Sequence, residues 1–271
     1  MNNPTKYLFI ITLLVWPFGL LLSYQTKYFP FPIYLLDILV IFLSILSFRA
    51  STRNLGGTGM LFFFYLIVLI SLLFNYSRFS PSTLAYTLRL FCYPSIYFLT
   101  LNYKNLVKKY LFISFGIFIF LGLVQYFIFP DMRYLKLIGF DDHYFRLVGS
   151  FYDPNFSGAI LAAITLMLFV ESRYLLGSVS LIALALTFSR ASYLSFIVGL
   201  VYYVIRSRKY LHLSLLVLLV ATVVLLPKPF GEGVNLLRTF SIFSRLNNWQ
   251  ENFGLFIQRP IFGWGYGTIK A

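Results

Sequence analysis

Nine apolar stretches, separated by short segments that carry nearly all of the charge, constrain the fold of this chain more than any other feature. Crossing the hydrocarbon core of a bilayer takes about 20 helical residues, with a range of about 17 to 25. The pattern therefore predicts an all-α polytopic integral membrane protein with about nine transmembrane helices and a large outer C-terminal segment. The nine stretches are Tyr7–Tyr24, Ile33–Phe48, Met60–Phe74, Thr83–Leu101, Tyr110–Phe129, Pro154–Val170, Leu175–Phe188, Ala191–Ile205 and Leu211–Leu226.

The composition excludes a soluble protein. Hydrophobic residues make up 59% of the 271 residues and charged residues only 11%, and the mean hydropathy is +0.81. A chain with so few polar groups cannot cover a globule in water. Aromatic residues make up 21%, which suits a lipid-exposed surface with interfacial belts.

The seventh and eighth stretches are short, and only Ser189-Arg190 divides them. One helix from Leu175 to Ile205 would exceed ~45 Å, too long for a hydrocarbon core of ~30 Å. We therefore predict a tight hairpin at Arg190. The first stretch follows Lys6 and has no small-residue cleavage site after it, so we interpret it as an uncleaved signal anchor.

Basic residues crowd the segments that an N-inside topology places in the cytoplasm. Those segments hold ten basic residues and one acid in 34 residues, whereas the outer segments hold eleven basic residues and six acids in 89. The density of Lys and Arg predicts an N-inside orientation with residues 227–271 outside. The largest outer segments, and thus the places for chemistry, are 130–153 and 227–271.

The net charge of +14 raises nucleic acid as a partner, but no basic stripe lies on a soluble element. We interpret most of the charge as cytoplasmic-side anchoring, and some outer arginines as candidates for binding an anion. Cys92 is the only cysteine, which excludes an intrachain disulfide and a CxxC metal site.

The run Arg146-Leu-Val-Gly149-Ser-Phe151-Tyr-Asp153-Pro154-Asn155 is the most informative motif. Pro154 suits the first turn of a helix, with Asp153 as its N-cap. Arg146 would then lie just above a helix N-terminus, where exposed N–H groups favour anions. An interfacial arginine beside a capping motif is the simpler alternative.

Two further arginines lie at or inside apolar stretches. A guanidinium near lipid should face a water-filled cavity, a phosphate or an acidic partner, or should snorkel to the interface. Arg190 lies between two stretches and fits either account. Arg89 lies inside the fourth stretch, and Asp37 is a candidate partner.

The outer tail contributes a second cluster of candidates. Arg245, Trp249 and Asn252 would share one face of a helix by their spacing. The glycines that follow at 263, 265 and 267 give a backbone that can turn sharply and approach a ligand closely. A GxGxG run without a strand–helix context does not predict a dinucleotide site.

His143 lies in the outer loop beside Asp141 and Asp142. The pattern fits acid–base chemistry or a metal site, and it fits a surface histidine equally. The six outer acids allow any pairing, so carboxylates for glycoside hydrolysis cannot be assigned.

Three motifs together resemble the O-antigen ligase and O-antigen polymerase family, bacterial integral-membrane glycosyltransferases with a large outer loop. They are Arg146-x-x-Gly149-x-Phe151-x-x-Pro154-Asn155, Thr187-x-Ser189-Arg190, and Arg245-x-x-x-Trp249 followed by Pro260-x-x-Gly263-x-Gly265. The resemblance covers about residues 83–271. It divides the chain into N-terminal membrane spans (1–82), a ligase-like membrane core (83–226) and an outer loop segment (227–271).

The resemblance implies an enzyme that uses a glycan carried on undecaprenyl pyrophosphate, at the outer face of the cytoplasmic membrane. A polymerase would pass the glycan to another lipid-linked repeat, and a ligase would pass it to lipid A–core. Arg146, Arg190 and Arg245 match the arginines that would neutralise the pyrophosphate, and Asn155, Trp249, Gly263 and Gly265 match supporting positions. The family implies no metal and no other cofactor.

Members of the family carry a histidine beyond the Gly-x-Gly segment, followed by further spans. The sequence here reaches Ala271, so we expect it to be truncated before that histidine, and His143 does not occupy the matching place. A transporter or flippase of lipid-linked glycan is the main alternative, and polar residues deep in spans, here Arg89 and Gln125, would favour it. An inactive membrane fragment is the other.

Overall fold

The computed structural model describes residues 3–26, 29–51, 58–225, 234–236 and 239–269. Within these ranges the regular elements are helices, apart from one antiparallel hairpin formed by β1 (Ser23–Thr26) and β2 (Phe29–Tyr34) and an isolated bridge between Asp131 and Tyr144. The α-helices are α1 (Asn3–Val15), α2 (Leu35–Ser51), α3 (Thr58–Phe74), α4 (Pro81–Cys92), α5 (Pro94–Asn102), α6 (Lys104–Ile128), α7 (Pro154–Val170), α8 (Tyr174–Leu186), α9 (Arg190–Ser207), α10 (Ser214–Leu225) and α11 (Phe240–Gln258).

The contacts divide the chain into two compact units. The first comprises Met1–Trp16, Leu22–Leu111 and Thr239–Ala271, and the second comprises Pro17–Leu21 and Phe112–Arg238. The sequence instead divides the chain into three consecutive segments, 1–82, 83–226 and 227–271, and that division stays a prediction.

The first unit has an apolar core and a partly buried ion pair. Phe9 of α1, Leu43 of α2 and Leu99 of α5 form the centre of the core. The guanidinium of Arg89 donates two hydrogen bonds, of 3.0 and 2.6 Å, to one carboxylate oxygen of Asp37. The pair that the sequence suggested is therefore present, and it ties α4 to α2.

The second unit is built around α7, which packs against both α8 and α9. Glycines permit the close approach. A Cβ at Gly158 would lie 2.5 Å from the hydroxyl of Ser192 on α9, and one at Gly177 of α8 would lie 3.2 Å from the ring of Phe169 on α7. Small residues at crossings are the usual means by which membrane helices approach each other.

Within the described ranges, two helical segments are long and apolar enough to cross a bilayer, Pro4–Leu22 and Lys104–Ile128. Five shorter apolar helices accompany them: Leu35–Ser47, Phe62–Phe74, Pro154–Val170, Tyr174–Leu186 and Tyr210–Leu225. The all-helical class is thus confirmed apart from the hairpin, whereas the count of nine spans stays a prediction. Large apolar side chains on α3, among them Phe62, Ile67 and Leu73, are exposed, as expected for a helix that faces lipid.

Two predicted spans are interrupted. The first, Tyr7–Tyr24, bends at Gly19, whose φ is +48°, and a Cβ there would lie 2.8 Å from the ring of Phe151. The fourth, Thr83–Leu101, consists of α4 and α5, which meet at Pro94. Proline has no N–H to donate to the carbonyl of Leu90, which instead accepts from the hydroxyl of Tyr65 at 3.4 Å.

The predicted break between the seventh and eighth stretches is confirmed, but it begins before the expected pair Ser189-Arg190, and Arg190 is already the first residue of α9. Residues 187–189, here called the α8–α9 linker, separate the two helices. The hydroxyl of Thr187 donates to the carbonyl of Leu184 at 2.7 Å and accepts from the N–H of Ser189 at 3.3 Å. Phe188 adopts a left-handed conformation with φ +48°. These local bonds end α8 and reverse the chain.

Candidate functional site

Arg146 is directed at the α8–α9 linker. Its side chain is 5% exposed, and its Nε and Nη2 atoms donate to the carbonyls of Thr187 at 2.9 Å and Phe188 at 3.4 Å. The backbone of the next residue joins the same region, because the N–H of Leu147 donates to the carbonyl of Leu186 at 2.9 Å. Two of the three motifs that carry the family resemblance therefore meet in space.

Gln125 of α6 holds the backbone that follows Arg146. Its side-chain oxygen accepts from the N–H groups of Val148 and Gly149, at 2.8 and 3.2 Å. Its side-chain nitrogen donates to the carbonyls of Phe129, at 3.0 Å, and Arg146, at 3.4 Å. The amide thus uses both its donor and acceptor atoms within the protein, and it fixes the turn that carries Arg146.

Asp153 caps α7 as the sequence predicts. One carboxylate oxygen accepts from the N–H groups of Asn155 at 2.6 Å and Phe156 at 3.1 Å. A carboxylate at a helix N-terminus satisfies donors that would otherwise face an anion. Asp153 thus occupies the N-terminus of α7, and Arg146 contacts the α8–α9 linker. The expected placement of Arg146 just above that N-terminus stays a prediction.

A chain of hydroxyl groups connects the N-termini of α7 and α9. Ser189 donates to the side-chain oxygen of Asn155 at 3.0 Å, and Ser192 donates to Ser189 at 2.8 Å. Ser189 and Ser192 are buried, whereas Asn155 is exposed at the surface. The hydroxyl of Ser189 is engaged with Asn155 and forms no side-chain cap on α9.

Three residues of this region adopt left-handed backbone conformations that bulky side chains rarely accept. They are Phe145 (φ +49°), Tyr152 (φ +55°) and Phe188 (φ +48°), and each directly precedes a polar residue of the site. Such conformations cost of the order of 1–3 kcal/mol each and are common at functional sites. Their clustering supports a functional role for the region.

Arg190 is the first residue of α9 and is half-buried. Its Nη1 atom donates to the carbonyl of Leu236 at 3.2 Å. Arg190 follows the linker that Arg146 holds, so the structure brings these two predicted arginines to one short segment.

His143 lies close enough to Arg146 and Asp153 for their charges to shift the pKa of its imidazole. Burial is the main reason that the pKa of its imidazole is lowered from 6.5, and the positive charge of Arg146 lowers the pKa further, while Asp153, Asp141 and Asp142 oppose both effects. The histidine therefore favours its neutral form at physiological pH. Within the described ranges, no three His, Cys, Asp or Glu side chains come together as a metal site.

The glycine run lies in the first unit. Gly263, Gly265 and Gly267 all have positive φ, of +63°, +92° and +68°, which confirms the expected sharp turns. A Cβ at Gly265 would lie 3.2 Å from the side chain of Asn75. The run therefore docks against the C-terminal end of α3.

Arg245 and Trp249 belong to α11, in the same unit, and both are exposed. The helix confirms that Arg245, Trp249 and Asn252 share a face. Apolar side chains recur along α11 at helical spacing, and they are Ile242, Leu246, Trp249, Phe253 and Phe256. Arg245 borders this stripe, and no hydrogen bond or ion pair of its side chain is found among the residues that the structure describes.

Residues 175–271 match the model of the O-antigen ligase family. The matched segment begins in α8 and includes Arg190, Arg245 and the glycine run, so the family resemblance is confirmed over these residues. Arg146 and Asn155 lie outside it. Searches of curated proteins and of solved structures gave no match.

At a coarse level, the matched family indicates a membrane protein that takes part in glycan ligation or polymerisation.

The sequence missed the part that Gln125 has in the site, and it missed the hydroxyl chain. Gln125 appeared only as a polar residue inside a span, and Ser192, in the run from Thr187 to Ser192, was given no role. A lone amide in an apolar helix is the one available signal, because such a group must find partners inside the protein.

Proposed function

We propose that this protein transfers a glycan from undecaprenyl pyrophosphate to a second glycan or to lipid A–core, at the outer face of the bacterial cytoplasmic membrane. The observation that carries the proposal is the convergence of Arg146 and Arg190 on the α8–α9 linker. Arg190 also lies inside the segment that matches the O-antigen ligase family.

The arginines have different parts in this proposal. Arg146 is nearly fully buried, and it keeps the linker in place through two carbonyls. Arg190 is more exposed and begins an 18-residue helix, so both its guanidinium and the helix dipole favour an anion there. Arg190 therefore supplies the direct contact to the leaving pyrophosphate, and Arg146 holds the linker that presents it.

Arg245, in the first unit, is a candidate pyrophosphate contact because the family resemblance implies it, and the character of α11 supports that role. The apolar stripe of α11 is typical of a helix that lies in the membrane interface, and Arg245 at its border would meet the headgroup level, where a lipid-linked pyrophosphate resides. Trp249, within the stripe, suits the same depth.

The contacts of two polar residues weaken the transporter alternative. Arg89 is paired with Asp37, and Gln125 is satisfied by backbone groups. Polar groups that face a transport pathway should instead line a cavity. Neither residue supports a path for a glycan through the membrane.

The proposal is tested with the protein expressed from its native gene, purified and reconstituted into liposomes with an undecaprenyl-pyrophosphate-linked oligosaccharide. Transfer predicts free undecaprenyl pyrophosphate in a one-to-one ratio with newly joined glycan, measured by mass spectrometry and by gel. Translocation of an intact donor across the bilayer, without release of undecaprenyl pyrophosphate, would favour the transporter and contradict the proposal.

A further inference from the structure

Two arginines of the first unit contact the same indole ring, and neither they nor the tryptophan are among the residues assigned to glycan transfer. The guanidinium carbon of Arg78 lies 4.3 Å from the centroid of the Trp264 ring, and that of Arg259 lies 4.4 Å from it. The indole N–H donates to the carbonyl of Leu255 at 2.8 Å, which fixes the orientation of the ring. We call these three residues the arginine–tryptophan cluster.

Asn75 anchors the cluster to the end of α3. It is 3% exposed, and its side-chain oxygen accepts from Arg259 at 2.5 Å. Its side-chain nitrogen donates to the carbonyls of Ser71 at 2.8 Å and Gly263 at 3.3 Å. Arg259 and the glycine run are therefore held in place by one buried amide, which reduces the entropy that a ligand contact would cost.

The cluster carries two positive charges, and no carboxylate among the described residues pairs with either of them. Arg89 and Arg133 each pair with an aspartate, whereas neither Arg78 nor Arg259 forms an ion pair within the described ranges, and both side chains are exposed. Two guanidinium groups kept near each other repel, so an anion between or beside them is favoured.

An apolar cavity of about 330 Å³ adjoins Arg259. The rings of Phe74 and Phe262 stack on each other in its wall, with centroids 3.9 Å apart, and Ile261, also in the wall, is 84% exposed. The site thus combines a basic rim with an apolar wall at the end of α3, a helix whose exposed apolar side chains suit contact with lipid.

We propose that the arginine–tryptophan cluster and this cavity form a binding site for an anionic glycerophospholipid of the surrounding bilayer. Arg78 and Arg259 contact the phosphodiester, and the wall formed by Phe74, Ile261 and Phe262 packs against the first carbons of an acyl chain. Trp264 contacts both guanidinium groups and suits the headgroup level of a membrane. The proposal does not depend on the catalytic role of the protein.

The test uses delipidated full chain in a neutral detergent and native mass spectrometry. The probes are dioctanoyl phosphatidylglycerol, dioctanoyl phosphatidylcholine and inorganic phosphate. Three proteins are compared: wild type, Arg78→Gln, and the double variant Arg78→Gln/Arg259→Gln. A matched control, Arg206→Gln/Lys209→Gln, removes two exposed positive charges from another segment.

We expect one saturable phosphatidylglycerol site that phosphatidylcholine fills much less well. Losing one charged contact should weaken binding by about tenfold or more, and losing both should weaken it further, while the control keeps the affinity of wild type. Arg78→Gln is informative even if the double variant unfolds, because the side chain of Arg78 makes no hydrogen bond among the described residues.

Equal losses in the cluster variants and the control would overturn the proposal, because the effect would then follow net charge alone. Equal binding of phosphatidylcholine would overturn the role of the guanidinium groups. Full competition by inorganic phosphate at the concentration at which phosphatidylglycerol binds would overturn the lipid assignment, because the cavity would then contribute nothing.

Discussion

Replacing Gln125 with leucine should loosen the turn that carries Arg146. Leucine fills a similar volume but has no acceptor for the N–H groups of Val148 and Gly149, which lie 2.8 and 3.2 Å from the glutamine oxygen. Both residues are buried, so water cannot readily replace the lost partner. The variant also removes the donor to the carbonyls of Phe129 and Arg146.

The expected loss of stability follows from the two backbone N–H groups, of Val148 and Gly149, that are left without an acceptor. A buried donor without a partner costs about 1–3 kcal/mol, which gives about 2–6 kcal/mol for the pair. Hydrogen bonds inside membrane proteins are often worth less, on average about 0.6 kcal/mol, so a value near the lower end is expected. The control is Gln250→Leu on exposed α11, which should cost under about 0.5 kcal/mol.

Unfolding in detergent, followed by size-exclusion chromatography after heating, measures the stability of both variants. Glycan transfer, measured on the folded fraction, reports whether the Arg146 turn has moved. We expect Gln125→Leu to lose both stability and transfer, and Gln250→Leu to lose neither. If the two variants melt at the same temperature, Gln125 does not hold the turn.

Three further predictions concern other parts of the chain. Asp37→Ala should destabilise the first unit by about 3 kcal/mol, because it leaves the largely buried charge of Arg89 without its partner. Thermal unfolding should show that the double variant Asp37→Leu/Arg89→Met recovers most of that loss. No recovery would mean that the ion pair itself is needed for stability. The pKa of His143 in the folded protein lies below 6.5, so the stability that the neutral imidazole contributes is complete above pH 6.5 and is lost as the pH falls through the folded pKa. The melting temperature of His143→Gln should therefore depend less on acid pH than that of wild type. Identical pH profiles of the two melting temperatures would contradict this prediction. A cysteine at Ser244, in a Cys92→Ala background, should react with a membrane-impermeant maleimide in spheroplasts, and labelling only after permeabilisation would reverse the predicted orientation.

Local patterns in the sequence predicted a helix well where the capping and proline residues mark the same ends as the apolar run. The sixth stretch, Pro154–Val170, matches α7 residue for residue, because Pro154 and the Asp153 cap fix its start. The fourth stretch forms two helices rather than one, because Pro94 interrupts the backbone hydrogen bonds. The apolar run continues through Pro94 and gives no sign of this break.

Contacts between distant residues explain most of what the sequence left open. Arg89 and Asp37 are 52 positions apart, so a charge inside a span could suggest a partner but could not establish it. In the sequence, Asp141 and Asp142 are the charged neighbours that made His143 a candidate. In the structure, Arg146 is among the charges that affect the pKa of His143 most strongly. Only the fold reveals which of several nearby charges a side chain faces.

The most direct test of the account is the rate of glycan transfer in variants of Arg190. Losing one charged donor to a developing anion typically costs about 3 kcal/mol, or roughly 100-fold in rate. We therefore predict that Arg190→Ala reduces transfer by about 100-fold. Arg190→Lys should recover part of it, because it keeps the charge and loses the planar fork. The control Arg133→Ala, on an exposed arginine paired with Asp131, should transfer at the rate of wild type. A rate for Arg190→Ala within about twofold of that control, in equally folded protein, would contradict the assignment of the linker as the pyrophosphate site.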